Sequence, residues 1–151
     1  MAKTGTKLIA DNRRARFDYD LLERFEAGIV LQGTEVKSLR GGKLNLGDSY
    51  CTIDRDGAVY LIDAHISAYT HGTHVNHDPL RTRKLLLGRG EIRRLAQRVR
   101  EKGLTLIPTR VYLKNGWVKV EIALAKGRKK YDKREKIKER DAVRDTERHL
   151  A

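Results

Sequence analysis

Apolar residues recur at odd positions from Phe17 onward: Phe17, Tyr19, Leu21, Phe25, Ala27, Ile29 and Leu31. Between them stand Asp18, Asp20, Arg24, Glu26 and Gln32. Period two over this length predicts a long, bent strand with one buried face. Asp20 and Glu23 also have the spacing of a helix capping box, which leaves a helix open there. Gly33-Thr34 then leads into Glu35–Arg40, and Gly41-Gly42 follows. Thr34 as N-cap and Gly41 as stop make this a short helix. Tyr50–Ile53 and Ala58–Ile66 flank Asp56-Gly57, a hairpin signal. Residues 67–82 are polar and rich in His, Gly and Asn, as a long loop is, and Lys84–Leu87 is a short apolar run.

Toward the C-terminus the period changes. Ile92, Leu95, Ala96 and Val99 lie three and four apart, an amphipathic helix over Glu91–Lys102 that Gly103 ends. Leu104–Leu113 and Trp117–Ala125 flank Asn115-Gly116, the strongest hairpin signal in the chain. On the last strand Val118, Val120, Ile122 and Leu124 point one way, and Lys119, Glu121 and Ala123 the other. Five or six antiparallel strands with two or three helices predict a mainly β fold, a small OB-like barrel.

Beyond Lys126 the pattern fades. Residues 127–151 hold few apolar side chains: Tyr131, Ile137, Ala142, Val143, Leu150 and Ala151. So little burial does not offset the entropy of ordering the segment. Good helix formers and the pairs Asp132/Lys136 and Glu135/Lys138 nevertheless favour a helix on a partner. The organisation expected is therefore a body, residues 1–126, and a basic tail, residues 127–151, disordered when free and helical once bound.

Charge sharpens this division. Lys and Arg number 33 against 20 Asp and Glu, a net +13 over 151 residues. The body contributes +9, from 23 against 14, and the tail +4, from 10 against 6. Self-repulsion on this scale points to a polyanionic partner, RNA before a membrane surface. One cysteine, Cys51, excludes an internal disulfide and a Cys-rich zinc site. No apolar run is long enough to span a bilayer, and Met1–Arg16 lacks the apolar stretch of a signal peptide.

Candidate chemistry is sparse. Gly33–Ser38 imitates the end of a phosphate-binding loop but lacks the Gly directly before Lys37. His71, His74 and His77 have a spacing that suits a metal, yet on a loop they share no fixed face; a solvated loop or RNA contact is the expectation, with no metal and no cofactor. Cys51 reads as a small core residue. Glu26, Glu35 and Glu121 read as ion-pair partners rather than an acid–base pair. No enzyme is expected; a metal-dependent hydrolase is the remote alternative. With Phe17, Tyr19 and Phe25 assigned to the core, few rings remain for a stacking platform. Structured RNA read by shape and phosphate fits better. Tyr131, among Arg128, Lys129, Lys133 and Arg134, is placed to stack on one base.

Tyr19–Arg40 (YDLLERFEAGIVLQGTEVKSLR), Asn45–Tyr50 (NLGDSY), Asn76–Leu87 (NHDPLRTRKLLL) and Val118–Arg134 (VKVEIALAKGRKKYDKR) together resemble the small protein B, or SsrA-binding protein, family, in order and from Asn12 to the end. The resemblance implies a bacterial, cytoplasmic RNA-binding protein, a monomer when free. It implies partnership with transfer-messenger RNA and stalled ribosomes in trans-translation, with no membrane involved. By that resemblance Asn12, Glu26, Lys119 and Lys126 face RNA. Gly127, Arg128, Lys129, Tyr131, Asp132, Lys133 and Arg134 form the tail motif that enters the decoding centre and message channel. Arg128 stands where relatives commonly have Lys, and Tyr131 where they often have His. The competing reading is a generic OB-type ribosomal or translation-associated protein.

Overall fold

The computed structural model describes residues 6–69 and 76–127. The elements run β1 (Thr6–Asp11), α1 (Arg13–Asp18), β2 (Tyr19–Ile29), α2 (Gly33–Arg40), β3 (Leu44–Asn45), β4 (Tyr50–Ile53), β5 (Val59–Ile62), β6 (His65–Ile66), β7 (Arg83–Leu86), α3 (Arg89–Lys102), β8 (Thr105–Lys114) and β9 (Trp117–Gly127). Every pairing is antiparallel. From β8 through β4, β5, β7, β2 and β9 the pairings return to β8 and close a ring. β9 occupies one edge of β8 along its length; β4 and β1 share the other edge, β4 at Leu106 and β1 from Arg110 onward. The mainly β, OB-like expectation holds. β3 and β6 form a separate two-stranded sheet.

The ring encloses the core. Phe25 and Ala27 from β2, Val59 and Leu61 from β5, Leu85 from β7, Leu106 and Val111 from β8, and Val120, Ile122 and Leu124 from β9 meet inside it with Cys51. α3 packs its apolar stripe onto this core: Leu95 is fully buried, with Ile92 and Val99 beside it. Burial of one such leucine contributes roughly 2 kcal/mol. Glu23 holds the helix in place through Arg94 (2.9 Å) and Arg98 (3.1 Å). The hairpin between β8 and β9 turns on Asn115 (φ 52°) and Gly116 (φ 82°), the two positive φ values that a tight two-residue turn demands.

Three bulges interrupt the ladders of the described residues, one at Ile9 in β1 and two that redirect the sheet face. The β2–β9 register slips at Leu22 and the β8–β9 register at Thr109. Before the first slip, Tyr19 and Leu21 pack on the outer face with Ile107, Ala125 and Ala15; after it, Phe25 and Ala27 face inward. The one buried face expected from Phe17 is therefore two faces. Phe17 itself belongs to α1, a helix the alternation concealed. The strand expected over Ala58–Ile66 breaks at Asp63, whose φ is 60°.

α2 begins two residues earlier than expected and is capped by Gln32, not Thr34: the Gln32 N–H donates to Glu35 Oε1 at 2.7 Å. Glu35, expected as an ion-pair partner, is fully buried and receives both Arg83 Nε and Arg81 Nη2, the latter at 2.6 Å. Arg83, also fully buried, donates further to the carbonyls of Ala64 (2.8 Å) and Pro79 (3.2 Å). Burial pushes the Glu35 carboxyl up, but the hydrogen bonds from Arg81, Gln32 and Arg83 outweigh it and hold its pKa below the usual carboxylate range. This network ties α2, β7 and the segment between β6 and β7 together. His77 completes it. Its Nε2 lies 2.8 Å from the Ile66 carbonyl, so it carries the proton, and Nδ1 accepts from the Thr34 hydroxyl at 2.9 Å. His77 is thus a buried structural residue, a correction to its expected place on a solvated or RNA-contacting loop.

Candidate nucleic-acid interface

The outer face of β2, β9 and β8 is covered at one end and open at the other. α1 covers the first end, where Ala15 packs against Ile107 and Ala125. Asn12 sets that helix. Its Oδ1 accepts the Ala15 N–H (3.1 Å), its Nδ2 donates to the Pro108 carbonyl (2.9 Å), and its own N–H donates to Thr109 O (2.8 Å). Only 5% of Asn12 is exposed, and both of its polar side-chain atoms are engaged within the chain. Arg13, Arg14 and Arg16 of α1 remain on the surface.

The open end is a polar array in register. Arg110, Glu121 and Glu26 form one row across β8, β9 and β2; Tyr112, Lys119 and Gly28 form the next. The Thr109 bulge makes this possible. It reverses the phase of β8, so that Ile107 packs under α1 while Arg110, Tyr112 and Lys114 point outward with Lys119 and Glu121.

Glu26 stands at the centre. The Tyr112 hydroxyl donates to its Oε1 at 2.7 Å, and Lys114 Nζ reaches both oxygens, at 3.4 and 3.3 Å. The Tyr112 hydrogen bond, working against burial and with help from Lys114 and Lys119, holds the Glu26 carboxyl below the usual range. Tyr112 is displaced upward, first by burial and then by the carboxylate it serves. Glu121 likewise lies low: burial raises it, and hydrogen bonds from Thr109 (2.6 Å) and Arg110 (3.0 Å) overcome the rise. Lys119 has no ion-pair partner among the described residues.

Exposed apolar side chains border the array. Leu86 is 52% exposed and lies opposite Gly28, which has Lys119 on its other side. A Cβ on Gly28 would come within 3.3 Å of Leu86 Cβ. Trp117, at the hairpin tip opposite Lys114, is 73% exposed. Chemically, the surface offers a fixed acceptor to ribose hydroxyl or base N–H donors, cations to phosphates, and apolar edges to a base or sugar. The structure therefore brings Glu26 and Lys119 together. It sets Lys126 apart: seven residues along β9 is roughly 24 Å, and Lys126 is paired with Asp20 near the strand's end. Gly127 ends β9 beside Tyr19. Arg128, Lys129, Tyr131, Asp132, Lys133, Arg134, His71 and His74 lie outside the described residues. Sequence reasoning missed Tyr112, Lys114, Arg110 and Leu86. The outward phase of Lys119 and Glu121 was the available signal, but the bulge broke it across the hairpin.

No cluster of His, Cys, Asp and Glu suited to a metal occurs among the described residues. No helix among them is long and apolar enough to cross a membrane.

Comparison with known proteins agrees with this geometry. The SmpB protein family model matches residues 9–151. The SsrA-binding protein of Desulfitobacterium hafniense is 54% identical over 150 residues, 99% of this chain and 96% of that protein. That of Trichormus variabilis is 59% identical over 145 residues, covering 95% and 93%. A solved chain described as "tmRNA-SmpB: a journey to the center of the bacterial ribosome" superposes with a TM-score of 0.67 at 49% identity, over 80% of this chain and 85% of that one. With its ring of strands, its outward Glu26 array and matches that run almost from end to end, this chain belongs to the SmpB family.

Proposed function

We propose that the protein binds the tRNA-like domain of transfer-messenger RNA and delivers it to stalled ribosomes in the bacterial cytoplasm. The observation that carries this reading is the Glu26 carboxylate, oriented by Tyr112 and Lys114 beside Lys119, which has no ion-pair partner among the described residues, on the open end of the sheet face. A carboxylate on so cationic a chain serves RNA as a specific acceptor, while Lys119 and Arg110 neutralise phosphate. Asn12 takes part by fixing α1, which borders the face and carries Arg13, Arg14 and Arg16. Lys126 marks where the RNA surface of the body passes to the tail.

The tail, residues 127–151, occupies the decoding centre and the empty message channel. Gly127, Arg128, Lys129, Tyr131, Asp132, Lys133 and Arg134 are its contact motif. The protein supplies positioning and no catalysis. Removal of residues 127–151 separates the two roles. Affinity for the tRNA-like fragment should stay within about threefold, since the folded face is untouched, while peptide tagging on stalled ribosomes is abolished. Loss of RNA binding on truncation would show that this division of labour is wrong.

A further inference from the structure

We propose that the flank of α3 beside the β4–β5 hairpin binds an unpaired stretch of RNA, its phosphates on Arg89, Arg93 and Arg100 and one base in the groove between α3 and β4. The helix carries arginines on both sides of its apolar stripe. On one flank Arg94 (2.9 Å) and Arg98 (3.1 Å) are paired with Glu23 of β2. Arg89, Arg93 and Arg100, four and seven residues apart, share the other flank. All three are exposed, and none has an ion-pair partner among the described residues. A helical rise of about 16 Å separates Arg89 from Arg100, a line that can follow successive phosphates of one strand. Arginine at each position offers a planar fork that meets phosphate oxygens in pairs.

The groove is the second observation. Its volume is 420 Å³, and Val99, Leu104 and Leu106 line it together with Thr52, Asp54 and Arg100. The β4–β5 turn packs against α3 on this side: a Cβ on Gly57 would stand 3.7 Å from Ile92 Cγ2. Asp54 Oδ1 accepts the N–H groups of Asp56 (3.0 Å) and Ala58 (2.8 Å) and so holds that turn. Its charge turns anions away from the groove itself, while the aliphatic walls suit the face of a neutral base. Phosphate therefore belongs on the arginines that border the groove. Asp54, Arg55 and Asp56 together bring −1 to the turn, against +3 on the stripe, so the flank stays cationic. An acidic peptide would meet Asp54 with like charge, and a duplex has no free base to offer. The site shares no residue with the Glu26 array and lies on the flank of α3 turned away from Glu23 and β2.

Amide and arginine Nε–Hε NMR on the full chain tests this, with oligouridylate, a blunt RNA duplex and an oligoglutamate peptide as separate probes. Oligouridylate should saturably shift the side-chain signals of Arg89, Arg93 and Arg100 together with the amides of residues 52–54 and 104–106. The duplex should shift the arginine signals alone, and oligoglutamate should saturate neither set. Arg93→Gln with Arg100→Gln should weaken oligouridylate at these signals by about tenfold or more. It should also lower the slope of log affinity against log salt by about 0.7 for each arginine removed. Ala96→Leu keeps a good helix former but narrows the groove; it should weaken oligouridylate about tenfold and leave the duplex unaffected. Affinity for the tRNA-like fragment should stay within about twofold in both variants, since the two surfaces are separate. Saturation by oligoglutamate, groove amides that respond equally to the duplex, unchanged oligouridylate binding in either variant, or an equal loss of affinity for the tRNA-like fragment would each overturn the proposal.

Discussion

Arg83→Leu should destabilise the protein far more than an ordinary substitution. Arg83 and Glu35 are both fully buried and directly paired. Leucine at 83 leaves the Glu35 carboxylate in the interior with only Arg81 and the Gln32 N–H, and takes from the Ala64 carbonyl the donor that Arg83 supplies. Removing one partner of a buried pair costs about 3–5 kcal/mol. For a chain of this size that corresponds to a fall of roughly 10–15 °C in melting temperature. Urea unfolding followed by far-UV circular dichroism measures it; the fluorescence of exposed Trp117 reports mainly on the hairpin tip. The paired variant Glu35→Leu with Arg83→Leu removes both charges and should recover at least half of the loss. A cost below about 1 kcal/mol for Arg83→Leu, or a paired variant as unstable as the sum of the single ones, would refute the argument. Acid adds a check with a defined sign. The folded pKa of Glu35 lies below its ordinary value, so its contribution is complete above the unfolded pKa and fades as pH falls through the folded one. Glu35→Gln should flatten that acid slope.

Tyr112→Phe removes the hydrogen bond that does most to keep Glu26 ionised, so the Glu26 pKa should rise toward the ordinary carboxylate value, as carboxyl 13C NMR would record, with the fold intact. Cys51 is buried, and burial pushes its thiol far above its usual range. It should resist iodoacetamide in native protein at pH 8 and react once urea unfolds the chain; rapid native alkylation, read by mass spectrometry, would contradict the core packing.

Much of the fold was legible where one physical signal dominated. Asn115-Gly116 dictated its hairpin, and the spacing of Ile92, Leu95 and Val99 dictated α3. The failures share a cause, long-range packing overriding local pattern. Phe17, Tyr19 and Leu21 looked like the start of one strand face, yet α1 and the Leu22 bulge divide them between a helix and the outer cluster. His77 looked polar and therefore solvated, but the Ile66 carbonyl and Thr34 hydroxyl satisfy both ring nitrogens. Of the array, Glu26 came from the family resemblance and Lys119 from that and its outward phase. Tyr112 and Lys114 required the Thr109 bulge, whose one local sign is Pro108 inside the strand.

The proposed role of Glu26 as an acceptor for RNA is tested through a sign by the affinity of Glu26→Ala for the tRNA-like fragment of transfer-messenger RNA. Deleting the carboxylate raises the positive charge of the chain, so binding governed by phosphate attraction alone would tighten at fixed salt. Loss of a charge-assisted hydrogen bond instead weakens it, by about tenfold or more. The weaker complex is expected, with wild-type circular dichroism and melting temperature; unchanged or tighter binding would contradict an acceptor role for Glu26.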